Sequence, residues 1–516
     1  MNTNNEHEIL SKTNLDDSSF INDSNSEEVI KLLSETSKKV IECLMIKRNQ
    51  AIINSEIWVD NLWLDFPLES FPENWSIEEL DKSLDLILSN ILPNYSSPNY
   101  FWHMLTSLNS WSLLASNLAN IFNQNIIAQE VWPTFTQIEN VVIWYISELI
   151  WYDKLKSWWT ITSWWTNANH TALLVARNKI LPWVSENWLT DSLEKYNLLN
   201  GTNYKKVVML YWADSHYSIE KLCWYIWIWT KNSKTIPYKD WKSELDIEKM
   251  EQIIQDCEKN NILVLGVVIT AWTTEKWHIH NINEVSSLTK KWQNWRSIHL
   301  HIDAAHGWWF LVDPVIKDEL FNWISEADSV TIDGHKMFFT NYSCGWIIFK
   351  DKNDMEYIKH SADYVIPELT NHDNHWAYTL EWSRGASWVY QLYINIKTMW
   401  REGFIKSIRR LIDNKKYLES RLNKFKDHFE ILNSWSDLNV LCFRINLEWK
   451  SNDELNLLND SVKNELFKNW KYYVSSTTIN WFKAFRSVFM NPLNIEENID
   501  EFISYLFSLI EKYKLT

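Results

Sequence analysis

The chain reads as an α/β protein, a mostly parallel central sheet followed by a smaller α+β C-terminal domain. Three observations predict this. Between about 160 and 350, short β-branched runs alternate with helical or loop stretches, the pattern of strands joined by crossovers. Beyond about 385 the alternation gives way to one long helical stretch, then clustered strands, then a final helix. The 516 residues are 46% hydrophobic and 22% charged, an ordinary globular composition that suffices for two or three domains.

In chain order, residues 1–25 are a polar tail without apolar periodicity, expected to be disordered. A helical N-terminal segment spans 26–100: residues 26–48 have helical periodicity, and Ser76 with Glu79 forms a capping box that opens a helix to about Leu92. Pro93 and Pro98 then break the chain. A large domain is expected over 101–385. It begins with amphipathic helices at 112–125 and 136–150, and its strands fall at 207–210, 262–269, 298–302, 330–332 and 347–349. The C-terminal domain, 386–516, holds a helix to about 425, strands near 438–445, 471–476 and 484–489, and a helix at 495–513. No internal repeat is visible.

Composition excludes several function classes. A net charge of −16 argues against a nucleic-acid partner, and no basic patch appears. No apolar run reaches membrane-spanning length, and the first thirty residues lack the apolar core of a signal peptide, so a cytoplasmic protein is expected. Five scattered cysteines (Cys43, Cys223, Cys257, Cys344 and Cys442) lack metal-ligand spacing and read as reduced thiols; no metal site is expected.

One feature of the composition is abnormal: 35 Trp against 7 Gly. Average usage of about 7% would give about 36 glycines, which a chain this long needs for left-handed turns and helix C-caps. The tryptophans also fall among small polar residues, in the doublets Trp158-Trp159, Trp164-Trp165 and Trp308-Trp309, and Trp272 precedes two threonines in a turn-like stretch. Such placement suggests that most of them are glycine in the natural protein, as when a UGA codon that the source reads as glycine is written as tryptophan. The alternative is a truly Trp-rich, non-catalytic protein that binds sugars or membranes.

The chemistry-bearing residues gather at strand ends. Lys336 lies in TIDGHKMFF after a strand; alone it could be a solvated surface lysine. Asp303 lies in HIDAAHGWW directly after the run 298–302, where ligands of open α/β sheets bind. An acid there can pair with a protonated ring nitrogen, or merely cap a helix. The stretch TSWWTNAN at 162–169 leads into a helical run, and with glycine at 164 and 165 it would be a phosphate loop at a helix N-terminus, to which Thr166 adds a hydroxyl. A plain capped helix start is the other reading. His216, just past the run 207–210, can stack on an aromatic ring or be structural, and Thr273 follows the buried run 262–269 within reach of a ligand edge.

The order phosphate loop, His, Thr-Thr turn, Asp-x-Ala, His-Lys resembles the group II pyridoxal-phosphate-dependent amino-acid decarboxylases, over about 95–516. Within them it is most similar to the bacterial aspartate 1-decarboxylases, then to glutamate decarboxylase-like members. Further matches are NYFWHMLTSL at 99–108, FNQNIIAQE at 122–130, ADSVTIDGHK at 327–336, LEWSRGAS from 380 and MWREGF to 404; in the first and the last two, a tryptophan stands in a place the family gives to glycine.

The resemblance implies the aspartate aminotransferase-like fold (fold type I), pyridoxal 5′-phosphate as cofactor and a homodimer. It implies that Lys336 carries the cofactor covalently. His335, Asp333, Thr166 and the backbone at Trp165 lie near the phosphate. Asp303 holds the pyridine nitrogen, Ala305 packs under the ring and His216 stacks above it. Arg486, in FKAFRSVFMNP, would bind a substrate carboxylate with its planar fork, unless it is a surface arginine. Tyr364 would return a proton to the substrate carbon, with Tyr357 and Tyr378 as neighbouring candidates. His306 departs from the aromatic residue more usual after Asp-Ala-Ala. The expected reaction is decarboxylation of an acidic amino acid, aspartate to β-alanine or glutamate to γ-aminobutyrate. Aromatic amino-acid or tyrosine decarboxylation, or another fold type I lyase reaction, is the alternative.

Overall fold

The computed structural model describes scattered positions between 27 and 82, and then 97–514 except 102, 108, 130–131, 229–231, 240–244, 272–281, 293–297, 361–374, 435, 437 and 470. The expected tail at 1–25 and most of the N-terminal helical segment lie outside the described residues. No helix among the described residues is long and apolar enough to cross a membrane.

A two-residue strand, β1 (Tyr100–Phe101), precedes helices α1 (Ser110–Phe122) and α2 (Pro133–Ile150). The Asn109 side chain caps α1, accepting a bond from the Ser112 N–H at 2.7 Å, and proline at the first position opens α2. Then follow β2 (Trp158–Thr162), α3 (Trp165–Ile180), α4 (Leu189–Asn200), β3 (Lys206–Trp212), α5 (Ser218–Tyr225), β4 (Ser233–Ile236), α6 (Ile247–Lys259), β5 (Ile262–Thr270), α7 (Ile282–Trp292) and β6 (His299–Asp303). Next come α8 (Pro314–Leu320), β7 (Ser329–Asp333), the single turn α9 (Gly334–Met337) and β8 (Gly345–Phe349).

These strands form a sheet in the order β2-β8-β7-β6-β5-β3-β4. The run β7-β6-β5-β3-β4 is parallel throughout, and β8 joins antiparallel to both β7 and β2. β2, β6, β7 and β8 are buried at every residue and β5 at all but its first, as expected of a sheet with both faces covered.

The second part opens with α10 (Ala386–Asn423), a long helix that carries one non-helical residue, Trp400, at φ 56 and ψ 172. After it come β9 (Phe429–Ile431), β10 (Val440–Ile445), α11 (Asn452–Asn469), β11 (Tyr473–Ile479), β12 (Phe482–Val488) and α12 (Glu496–Lys514). The smaller sheet runs β1-β11-β12-β10-β9, with β1 parallel to β11 and the other pairs antiparallel. A strand from before the large sheet thus completes the small one. The α/β class and the mostly parallel central sheet are as the sequence predicts.

The tryptophans do not all sit as their sequence context suggests. Trp158 and Trp159 form part of β2 rather than a turn, and with Trp308, Trp309, Trp346 and Trp376 they are fully buried. Others have backbones that an indole-bearing residue adopts at a cost: Trp151, Trp227, Trp382, Trp400 and Trp481 all have φ between 55 and 71. Trp151 occupies the left-handed C-cap of α2, the place Gly201 takes at the end of α4. Asn480-Trp481 is the two-residue loop between paired Ile479 and Phe482, with φ positive at both residues, the setting that favours Asn-Gly. Cys223, Cys257, Cys344 and Cys442 are buried and form no disulfide among the described residues; Cys43 lies outside them.

Candidate active site

The parallel order of β5, β6 and β7 puts their carboxyl ends side by side. Asp303 ends β6, and Lys336 lies in the turn after β7. They face one cavity of about 330 Å³, also lined by His216, Trp165, Thr270, Ala305 and His306 from the strands, helix and loops of the large sheet, by His103 from the segment before α1 and by Arg486 of β12. Residues separated by more than three hundred positions therefore share one space.

Lys336 is 8% exposed, and its Nζ lies 3.0 Å from Oδ2 of the buried Asp333. Burial pushes the Asp333 carboxyl above its ordinary range, although Lys336 and His335 oppose this. His335 is also buried, which lowers its pKa; its Nδ1 lies 3.0 Å from the Cys344 carbonyl and 3.1 Å from the Cys344 N–H. Asp333 thus serves directly as the ion-pair partner of the lysine.

Asp303 is held at both oxygens. Oδ2 accepts from Asn169 Nδ2 at 2.9 Å and Oδ1 from the Ala305 N–H at 3.1 Å. The Ser218 N–H points at His216 Nδ1 from 3.3 Å, which makes Nδ1 the acceptor and leaves the hydrogen on Nε2. Burial, with a smaller contribution from Lys336, lowers the His216 pKa despite Asp303 nearby, so the ring is neutral.

Two further lining groups were not assigned roles from the sequence. His103 is pushed down to about 4 by burial and by Arg486. His306 is pushed down to about 3, chiefly by burial; its Nε2 lies 3.5 Å from Asn439 Oδ1. Both are neutral at pH 7, so Arg486 and Lys336 supply the positive charge of the cavity wall. The position of His103 within NYFWHMLTSL was the only available hint; Asn169, in TSWWTNAN, had none beyond its place near the start of a helix.

Other expected site residues are less central. Thr166 follows Trp165 in α3 and is not part of the cavity wall. Tyr378 is buried and donates to Glu356 at 3.1 Å, Tyr357 is partly exposed, and neither lines the cavity. Thr273 and Tyr364 lie outside the described residues.

The donor set suits the pyridine-ring cofactor implied by the resemblance: a lysine amine, a carboxylate held on two sides and a neutral imidazole converge on one cavity. The misfit is Trp165. Its ring lies 4.6 Å from Lys336 Nζ and 5.4 Å from the His216 ring, between the groups that would grip the cofactor, and the Trp164 ring packs against it, tilted by 35° with centroids 4.7 Å apart.

The family model described as pyridoxal-dependent decarboxylase conserved domain matches residues 64–446. Aspartate 1-decarboxylase of Aliivibrio fischeri is 26% identical over 446 residues, 82% of this chain and 78% of that protein. L-2,4-diaminobutyrate decarboxylase of Acinetobacter baumannii is 22% identical over 458 residues, covering 85% and 84%. The crystal structure of Oryza sativa TDC with PLP superposes with a TM-score of 0.81 at 15% identity, over 96% of this chain and 100% of that one.

Proposed function

The chain belongs to the pyridoxal-dependent decarboxylase family, with the fold type I architecture and a pyridoxal-phosphate-dependent amino-acid decarboxylase activity, and on that premise we propose that it acts on an acidic L-amino acid, aspartate or glutamate. When bound, pyridoxal phosphate supplies a cationic aromatic ring that accepts the electron pair left as carbon dioxide departs. Lys336 would hold that group covalently and give way to the substrate amine. Asp303 would keep a proton on the ring nitrogen, and His216 would lie against the ring with Ala305 on the other face. Asp333 pairs with the amine of Lys336 and orients it. Tyr364 is proposed as the acid that returns a proton to the substrate carbon.

The observation that carries the substrate proposal is Arg486, whose guanidinium shares one cavity with Lys336. A planar fork suits a carboxylate. The neutral His103 beside it offers a hydrogen bond rather than a second charge. The similarity to aspartate 1-decarboxylase supports the same choice. The test is carbon dioxide release from aspartate, glutamate, 2,4-diaminobutyrate and tyrosine. Release from aspartate or glutamate at the highest kcat/KM is expected. Preference for tyrosine or diaminobutyrate overturns the proposal of an acidic substrate.

The fit of the cofactor motivates a second part of the proposal: positions 164 and 165 are glycine in the working protein, as are 151, 227, 382, 400 and 481. Support comes from two kinds of observation. At the last five positions φ is positive, which costs a side-chain-bearing residue about 1–3 kcal/mol. At 165 an indole crowds the space around Lys336, and at 164 a second one packs behind it against His335. The buried indole N–H groups of Trp159, Trp309 and Trp376, which have no hydrogen-bond acceptor among the described residues, point the same way. Peptide mass spectrometry of protein from its native cells should find glycine masses at these seven positions; tryptophan at 164 and 165 would refute the assignment.

A further inference from the structure

Behind Asp303 runs a line of buried polar groups that the chemistry above does not use. Asn169 comes from the first turns of α3, His299 and His301 from β6, and Ser329 from the start of β7, where it pairs in register with His301. All are 0–2% exposed. The contacts are Asp303 Oδ2 to Asn169 Nδ2 at 2.9 Å, Asn169 Oδ1 to His301 Nε2 at 2.9 Å, His301 Nδ1 to Ser329 Oγ at 2.8 Å, and Ser329 Oγ to His299 Nε2 at 2.8 Å.

The line has one consistent polarity. A carboxylate only accepts, so the Asn169 amide must turn its NH₂ toward Asp303 and its oxygen toward His301. That oxygen requires a hydrogen on His301 Nε2. Burial pushes both histidines down to about 3, so each carries a single ring hydrogen at pH 7. His301 Nδ1 therefore accepts, and the Ser329 hydroxyl donates to it. With its hydrogen used, Ser329 accepts from His299 Nε2. Every donor points toward Asp303, and aligned hydrogen bonds polarise one another in a low-dielectric interior. Residues i and i+2 of a strand share a face, so His299, His301 and Asp303 stand on one side of β6. Asn169 belongs to the helix whose first residue is Trp165, so a single helix serves both the phosphate loop and the acid.

We propose that Asn169, His301 and Ser329 are positioning residues that hold the Asp303 carboxylate in one orientation toward the cofactor ring nitrogen. This rests on the assignment of Asp303 above. Two measurements test it. In the apoprotein, ¹⁵N spectra of histidine at pH 7 should show His299 and His301 protonated at Nε2 alone; an Nδ1-protonated His301 would reverse the line and overturn the proposal. In the holoenzyme, Asn169→Leu should weaken cofactor affinity and lower kcat by about tenfold or more while leaving KM close to the parent value, and should change the visible absorption of the bound cofactor. His301→Phe should do the same, and His301→Gln, which keeps an amide donor, should recover most of the loss. Ser329→Ala, remote from the cavity, should give a smaller change of the same sign. Parental spectrum, affinity and kcat in Asn169→Leu, or in Ser329→Ala should the former not fold, would sink the relay. Carbon dioxide release by the parent reports on the reading of the site itself, so the two failures are separable.

Discussion

At the scale of single residues, the site divides into groups with a local signature and groups without one. Lys336, Asp303 and His216 each follow a strand within a short recognisable string, so the sequence announces them. Asn169 and His103 become visible only when distant elements meet, and the ion-pairing role of Asp333, only three residues before Lys336, shows once the turn after β7 brings the two side chains together. The first group carries the sharpest expectations. Lys336→Ala should abolish turnover and leave no cofactor bound after borohydride treatment, as read by absorbance; full activity in that variant would refute its role. Arg486→Met removes the charged hydrogen-bond partner proposed for the substrate. With contacts of this type contributing about 1.5–3 kcal/mol, kcat/KM for aspartate or glutamate should fall by about tenfold to a hundredfold. An unchanged kcat/KM would return Arg486 to a purely structural role beside Ser475, whose hydroxyl lies 3.4 Å from it.

At the scale of elements, β5, β6 and β7 were legible because continuous β-branched runs mark buried parallel strands. β2 was not, because its leading Trp doublet reads as a turn, and β4 was not, because three of the four residues of SKTI are polar and it lies at the sheet edge. α11 did carry a signal, since Leu455, Leu458, Val462 and Leu466 are buried at helical spacing, although the strands around it were the clearer feature. The β11–β12 hairpin yields a stability expectation: Trp481→Gly, at an exposed turn residue with φ 71, should raise the melting temperature by relieving about 1–2 kcal/mol of backbone strain. A lower melting temperature would contradict the turn assignment. β6 and the residue three past its end yield a pH dependence. His299, His301 and His306 have folded pKa values of about 3, below the ordinary 6.5, so the unfolded chain binds more protons between those values. Stability contributed by these neutral rings is present above pH 6.5 and is lost as pH falls toward 3. Thermal melts should show this decline beginning well above the carboxylate range, and His299→Gln should flatten it.

At the scale of the whole molecule, the α/β class and the division into a larger and a smaller sheet were readable from the change of pattern near 385. The recruitment of β1 into the small sheet was not, because a two-residue strand carries no periodicity. The resemblance leads us to propose a homodimer, and light scattering should give twice the 61.9 kDa chain mass; a monomer at working concentration would contradict it. Lys336 and Asp303 extend from the large sheet, whereas Arg486 belongs to β12 of the small one. Anything lodged between them is a keystone gripped from two walls. Saturating the apoprotein with cofactor at a hundred times its dissociation constant should add about 2.7 kcal/mol against heat. Only a substrate or inhibitor whose carboxylate also reaches Arg486 bears on both walls, and with one bound the far-ultraviolet and aromatic signals should move to the higher midpoint together.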